Sequence, residues 1–228
     1  MLFGLCNAGA TFQRLMDLVT VGLHLEVCLV YLDDIVVYSR TEEEHLQRLG
    51  AVFARLRDAG LKLKPEKCML FQRSVTFLGH VISAEGIATD PEKTAVVTSW
   101  PAPTSLTETR SFVGLCSYYR RFVQDFAKVA APLHELTKNN VRFQWTDRAQ
   151  EVFERLKQAL TTPPILTMPN DEGEFCLDTD ASERSIGAVL SQKQGELERV
   201  IAYASRSLDT REILYCITRK ELLAVVYF

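Results

Sequence analysis

The stretch VYLDDIVVYS, positions 30–39, sets two adjacent carboxylates, Asp33 and Asp34, between runs of Val, Ile, Leu and Tyr. Two apolar runs, Val27–Tyr31 and Ile35–Ser39, broken only by this pair, read as the arms of a β-hairpin with the carboxylates at its tip. Runs that lack polar alternation predict strands covered on both faces. Asp favours turns for local hydrogen-bonding reasons, so an isolated Asp-Asp at a turn is ordinarily structural. The apolar walls change that balance. Neighbouring like charges cost free energy unless a cation or solvent screens them, and flanking apolar strands reduce solvent. A pair of hard divalent cations such as Mg²⁺ resolves the conflict, and such a site suits in-line phosphoryl chemistry.

Around this hairpin the periodicity alternates between helical and extended. Phe12, Leu15, Met16 and Val19 recur at helical spacing within residues 8–19. Thr41 followed by Glu44 forms a capping box, and Leu46, Leu49, Phe53 and Leu56 then share one face until Gly60 supplies a left-handed stop. SVTFLGHVIS reads as a strand leading to a turn at AEG. Pro91, Pro101 and Pro103 mark a hinge between subdomains. Ser105 with Glu108 caps another helix, which buries Phe112, Val113, Cys116, Tyr119 and Phe122 and turns Arg110, Arg120 and Arg121 outwards. Thr146 caps a helix striped by Val152, Phe153, Leu156 and Leu160, which Thr-Thr-Pro-Pro ends. From residue 174 three strand candidates follow, EFCLDTDAS, SIGAVLSQ and RVIAYAS, and a last helix starts near Arg219.

Composition bounds the reading. The 228 residues are 47% hydrophobic and 24% charged, which is globular composition with length for one or two cores. No apolar run is long enough to span a bilayer and no secretion signal opens the chain, so the expectation is a soluble intracellular protein with no membrane partner. Six scattered cysteines without a C-x-x-C pattern favour buried, reduced thiols over disulfides or zinc. A net charge of −3 gives no global nucleic-acid footprint. Locally, Arg55, Arg57, Lys62, Lys64, Lys67 and Arg73 oppose only Asp58 and Glu66, a charge of +4 that by itself reads as a solvated face.

FGLCNAGATFQRLMD, YLDD followed by IVVYS, GLKLKPEKC, FLGHVIS, RSFVGLCSYYRRFV, FQWTDRAQEVFERLKQAL, DTDASERSIGAVLSQ and KELLAVVY follow one another in fixed order. Together they closely resemble the reverse transcriptase of gypsy-type LTR retrotransposon polyproteins, running into RNase H. The resemblance implies an α+β fold: a partial palm over 1–88 with the YLDD hairpin and primer grip, a helical thumb-like region over 89–140, a connection over 141–170, and the N-terminal half of an RNase H-like α/β domain over 171–228. It implies that Asp33 and Asp34 bind catalytic Mg²⁺, or Mn²⁺, with Tyr31 near the primer terminus. Phe3, Gly4 and Gln13 would lie along the incoming deoxynucleoside triphosphate and template. Lys67 would protonate the leaving pyrophosphate, a free solvated lysine being the alternative. Phe77–Val81 matches the primer grip, although Phe77 and Leu78 also fit a core, and the +4 segment would meet nucleic-acid backbone. Asp180 and Glu221 match the first two metal-binding carboxylates of RNase H, with Asp178 a weaker candidate. Partners would be an RNA template, a DNA primer and an RNA–DNA hybrid, in the cytoplasm within a virus-like particle or in the nucleus.

Two departures qualify these expectations. The family's third polymerase aspartate lies upstream of the segment that matches Phe3, and its further RNase H acids lie beyond the last helix. Both sites are therefore expected to be halved and this stretch inactive by itself, as part of a longer polyprotein. Leu2 and Gly9 stand where the family often carries proline, and Gly9 loosens the helix start. A non-catalytic remnant that binds nucleic acid or protein is the alternative.

Overall fold

The computed structural model describes residues 5–138 and 142–228. The chain divides into two compact units, Met1–Arg73 and Ser74–Phe228. Among the described residues no helix is long and apolar enough to cross a membrane.

In the first unit, α1 (Ala8–Val19) is followed by a two-stranded antiparallel hairpin, β1 (Cys28–Tyr31) and β2 (Asp34–Val37), and then by α2 (Glu42–Asp58). Thr41 caps α2 as its spacing predicts: its hydroxyl accepts the Glu44 N–H at 3.2 Å. The Glu44 carboxylate reaches back to the Arg40 N–H at 2.8 Å, one residue beyond the partner of an ideal capping box. Met16, Cys28, Val30, Val52 and Leu56 form the buried centre of the unit. The buried stripe of α2 is Leu49, Val52 and Leu56, whereas Leu46 and Phe53, expected on that face, are exposed. The helix presents the side three and four residues apart that packs on the β1–β2 hairpin, contacting β2, and a stripe read from sequence alone leaves that rotation open. The expectation of strands covered on both faces is also corrected. Cys28 and Val30 are buried, but Tyr31 is exposed and no residue of β2 is fully buried.

The second unit opens with a three-stranded antiparallel meander, β3 (Ser74–Phe77), β4 (His80–Ser83) and β5 (Gly86–Thr89). SVTFLGHVIS is thus two strands joined at Leu78–Gly79, not one strand, because both turn residues take positive φ. The predicted AEG turn joins β4 to β5. Gly86 has φ +137 and its backbone runs so close to Leu166 that an added Cβ would lie 2.2 Å from the Leu166 carbonyl oxygen. Pro91 starts α3 (Pro91–Thr98) behind an Asp90 cap and is no hinge: its fixed φ suits a first helical turn and its missing N–H costs nothing there.

Four helices build the core. Ser105 caps α4 (Leu106–Tyr118), and Thr146 caps α6 (Asp147–Thr161) through the Ala149 N–H. Between them α5 (Phe126–Leu136) carries Pro132 internally. Phe112, Phe153, Leu133, Leu156 and Leu160 are fully buried where α3 to α6 meet. Arg110, Arg120 and Arg121 are exposed, as expected.

The last segment is a three-stranded antiparallel sheet in chain order, β6 (Phe175–Ala181), β7 (Ser185–Gln194) and β8 (Leu197–Ser207), with α7 (Ile217–Tyr227) packed against β6 and β7. All six cysteines are free, and Cys28 and Cys116 are buried. Cys6, Cys176 and Cys216 are exposed, against the expectation of burial, because each sits on an element's open face or outside one.

Candidate functional site

Pairing of Tyr31 with Asp34 leaves Leu32 and Asp33 as a two-residue turn. Such turns require positive φ, which Gly or Asn usually supplies, yet here Leu32 adopts φ +51. The Leu32 N–H donates to Oε1 of Gln13 at 2.7 Å, and Nε2 of the same amide donates to the Asp17 carboxylate at 2.8 Å. Both ends of the Gln13 amide are engaged, so α1 holds the hairpin tip by its backbone. Asp33 and Asp34 are exposed, and neither carboxylate has a hydrogen-bond or ion-pair partner among the described residues.

Tyr31 is exposed beside them at the end of β1. Lys67 closes a single 3₁₀ turn, Pro65–Lys67, and is exposed; among the described residues it has no ion partner and no bond to either aspartate. The other basic residues of the +4 segment are exposed too. Arg57 and Lys64 have only loose partners, Asp58 at 3.9 Å and Glu66 at 3.8 Å. Phe3 and Gly4 lie outside the described residues.

A second group of carboxylates belongs to the β6–β8 sheet. Asp180 stands near the end of β6 opposite Gly187, exposed and without a partner among the described residues. Asp178 shares its face but is drawn to other neighbours: ligand atoms of Cys176, Asp178 and Glu198 lie within 4.8 Å of one another. The Asp178 carboxylate beside Cys176 pushes that thiol's pKa up. Glu221 is half-buried on α7, the helix packed against β6, and its carboxylate is likewise unpartnered among the described residues. Next to it, Lys220 is 6% exposed and donates to the Glu183 carbonyl at 2.8 Å, which pins α7 to the loop between β6 and β7. Neither the Gln13 clamp nor the Lys220 tether is visible in the sequence, since each joins residues 19 or 37 positions apart.

In both groups the free donors are carboxylate oxygens, the ligands that hard divalent cations prefer, and among the described residues no cation side chain pairs with them. The residues present fit divalent-metal chemistry at each group.

Two known families match parts of the chain. Residues 1–82 match the family described as reverse transcriptase (RNA-dependent DNA polymerase), and residues 145–228 match the RNase H-like domain found in reverse transcriptase. Both families are generally divalent-metal dependent. The chain is 42% identical over 229 residues to the Pol polyprotein of transposon 297 from Drosophila melanogaster, covering 100% of this chain and 21% of that protein. Against the Pol polyprotein of transposon gypsy, from the same organism, identity is 36% over 237 residues, covering 99% and 22%. Among solved structures, the foamy viral protease-reverse transcriptase in complex with double-stranded DNA has a TM-score of 0.85 at 28% identity, covering 97% of this chain and 39% of that one. Its complex with an RNA/DNA hybrid gives 0.83 at 26%, covering 100% and 31%. The chain thus spans about a fifth of the length of these polyproteins, and it belongs to the reverse transcriptase and RNase H family of retrotransposon Pol polyproteins.

Proposed function

We propose that the chain contributes part of the active sites of an RNA-directed DNA polymerase and of an RNase H, within a longer Pol polyprotein. The observation that carries the polymerase reading is the pair of unpartnered carboxylates, Asp33 and Asp34, on a turn whose backbone Gln13 holds. Carboxylates without protein partners at a fixed position are free to ligate metal and are already placed to do so, which saves ordering at the moment of reaction.

Asp33 and Asp34 would hold Mg²⁺, with Mn²⁺ as a substitute. When bound, the metal lowers the pKa of the primer 3′-hydroxyl and neutralises charge on the leaving pyrophosphate. Tyr31, exposed beside the pair, would contact the primer terminus, while Gln13 acts through the turn. Phe3 and Gly4 would line the deoxynucleoside triphosphate and template. Lys67, solvated and unpaired, is available to donate a proton to pyrophosphate. Arg55, Lys62 and Arg73 carry unneutralised charge at the surface and would contact phosphate backbone. In the second group Asp180 and Glu221 would hold metal for attack of water on an RNA phosphate. An RNA–DNA hybrid would be recognised by backbone shape and its 2′-hydroxyls. The solved relatives bind double-stranded DNA and an RNA/DNA hybrid, which supports nucleic acid as the partner here.

The test is Mg²⁺-dependent primer extension on an RNA template, run with this chain beside a longer polypeptide that extends upstream through a third aspartate. Extension by the longer polypeptide alone supports the reading. Extension by neither, with both folded, points to a non-catalytic remnant.

A further inference from the structure

The β3–β4 hairpin reverses through Leu78 and Gly79, with φ +48 and +68. A turn at a surface ordinarily leaves its carbonyls to water. Here both are filled by protein donors. The Leu78 oxygen accepts the Tyr118 hydroxyl and Nδ1–H of His80, the latter at 2.8 Å. The Gly79 oxygen accepts the Tyr119 hydroxyl at 2.9 Å and the Asp90 N–H at 3.1 Å. Four donors therefore occupy both lone pairs of two consecutive carbonyls.

The tyrosines come from the C-terminal end of α4, 40 residues further along the chain, and are themselves braced. Tyr119 is 1% exposed, its ring meets Tyr118 edge-on at 4.9 Å, and the His80 ring lies within 5.7 Å of Tyr118, Tyr119 and Phe122. Burial pushes the Tyr119 hydroxyl pKa up to about 12, so it stays a protonated donor at neutral pH. Gly79 is required by the approach as well as by φ: a Cβ there would stand 3.2 Å from the Tyr119 oxygen. In a trans planar peptide the N–H points opposite the C=O, so fixing the Leu78 oxygen against Tyr118 turns the Gly79 N–H away from α4. That N–H has no partner among the described residues. The turn is thus a surface edge with a free donor, held from behind by one helix.

We propose that Tyr118 and Tyr119 are positioning residues for the primer strand. By gripping the two carbonyls they fix the outward edge of the Leu78–Gly79 turn, and they make its position follow that of α4. This rests on the polymerase reading, in which the turn belongs to the primer grip; the hydroxyl clamp itself is independent of it. A turn tied to a thumb-region helix moves with it, so displacement of that helix along a duplex is transmitted to the strand the turn holds.

The experiment uses the longer polypeptide that extends primers, with Tyr118→Phe, Tyr119→Phe and the double variant, which keep the rings and remove the hydroxyls. Extension of a DNA primer on an RNA template is followed in the pre-steady state at saturating nucleotide. The double variant is expected to lose on the order of 10–100-fold in burst rate, because small misplacement of a reacting group costs that much. Burst amplitude and equilibrium affinity for the duplex are expected to hold. An unchanged burst rate, with or without a reduced amplitude, overturns the proposal, since a purely structural role changes the number of active molecules and not the rate of each. If the polypeptide with both tyrosines intact shows no burst, it is the polymerase reading that fails.

Discussion

Gln13 Oε1 accepts the backbone N–H of Leu32 at 2.7 Å, so a side chain on α1 holds the residue immediately before Asp33. Leu32 pays for a left-handed backbone with a branched side chain, and the Gln13 bond offsets part of that strain. Gln13→Leu keeps the size and removes the acceptor. It is expected to lower the unfolding free energy by about 1 kcal/mol, the net worth of one partly buried hydrogen bond. In the longer polypeptide it should slow primer extension more than that loss explains, because the turn is freed beside the carboxylates. Denaturant unfolding and single-turnover extension measure the two effects; equal extension rates would separate Gln13 from the site.

Asp33→Asn retains the shape of the turn residue and removes its charge. Since Asp33 has no partner to lose among the described residues, the fold should be unaffected and the melting temperature unchanged. Primer extension by the longer polypeptide is expected to fall by at least about 100-fold, as a metal ligand is lost. Extension near the original rate would remove Asp33 from the metal site.

Glu221→Gln tests the second group in the same way. In the intact Pol polyprotein, which carries the downstream acids as well, hybrid cleavage should be abolished while extension persists, because Glu221 is on α7 and its carboxylate supports no other residue among those described. Simultaneous loss of both activities would mean that the substitution disturbs folding. The neighbouring Lys220 has a different role: its buried ammonium holds the Glu183 carbonyl, so Lys220→Met should lower stability as well as cleavage.

What the sequence made legible was local. Thr41, Ser105 and Thr146 cap their helices where the spacing predicts, since a cap and its N–H partner lie three residues apart. The rotation of α2 was not legible, because which of Phe53 and Val52 is buried depends on packing against a hairpin outside the helix. Nothing announced α5: Asp125 starts it from a left-handed backbone without a side-chain cap, and Pro132 sits inside it. Leu78 hid a turn inside an apolar run, where the bonds from Tyr118 and Tyr119 stabilise a backbone that Leu does not favour. At the site, the Asp33–Asp34 tip could be read from its apolar flanks. Asp180 and Glu221 came only through family resemblance, since their separation in sequence carries no spacing signal. The clamp of Gln13 on Leu32 is a tertiary contact and had no local trace.

The core of the second unit offers a test of packing. Phe112 is fully buried, with its ring centroid 4.6 Å from that of Phe153 and 5.9 Å from that of Trp100. Phe112→Ala removes a ring that α3, α4 and α6 enclose, and is expected to cost about 3–5 kcal/mol. Phe112→Leu refills most of the volume and should recover more than half of the loss. Denaturant unfolding distinguishes them, and a small loss for Ala would mean that the helices close over the gap.

The pair Arg206–Glu212 predicts a pH dependence of the β6–β8 sheet and its helix. Glu212 takes two hydrogen bonds from the Arg206 guanidinium, at 2.6 and 2.8 Å, and one from the Asp209 N–H at 2.8 Å. The guanidinium also lies over the Tyr227 ring at 4.3 Å, which ties β8 to α7. These bonds, those from Arg206 first, lower the Glu212 pKa from 4.5 to about 2. Because the folded value is depressed, the contribution is complete above pH 4.5, where the carboxyl is ionised in both states. It shrinks as pH falls through the window between 4.5 and 2, since the unfolded chain takes up the proton first. Glu212→Gln has no such proton to take up. The stability difference between the original chain and Glu212→Gln, measured by denaturant unfolding at successive pH values, is therefore expected to be constant above pH 5 and to narrow steadily towards pH 2. A difference independent of pH across that window would show that the pair is held by shape and stacking on Tyr227, and not by charge.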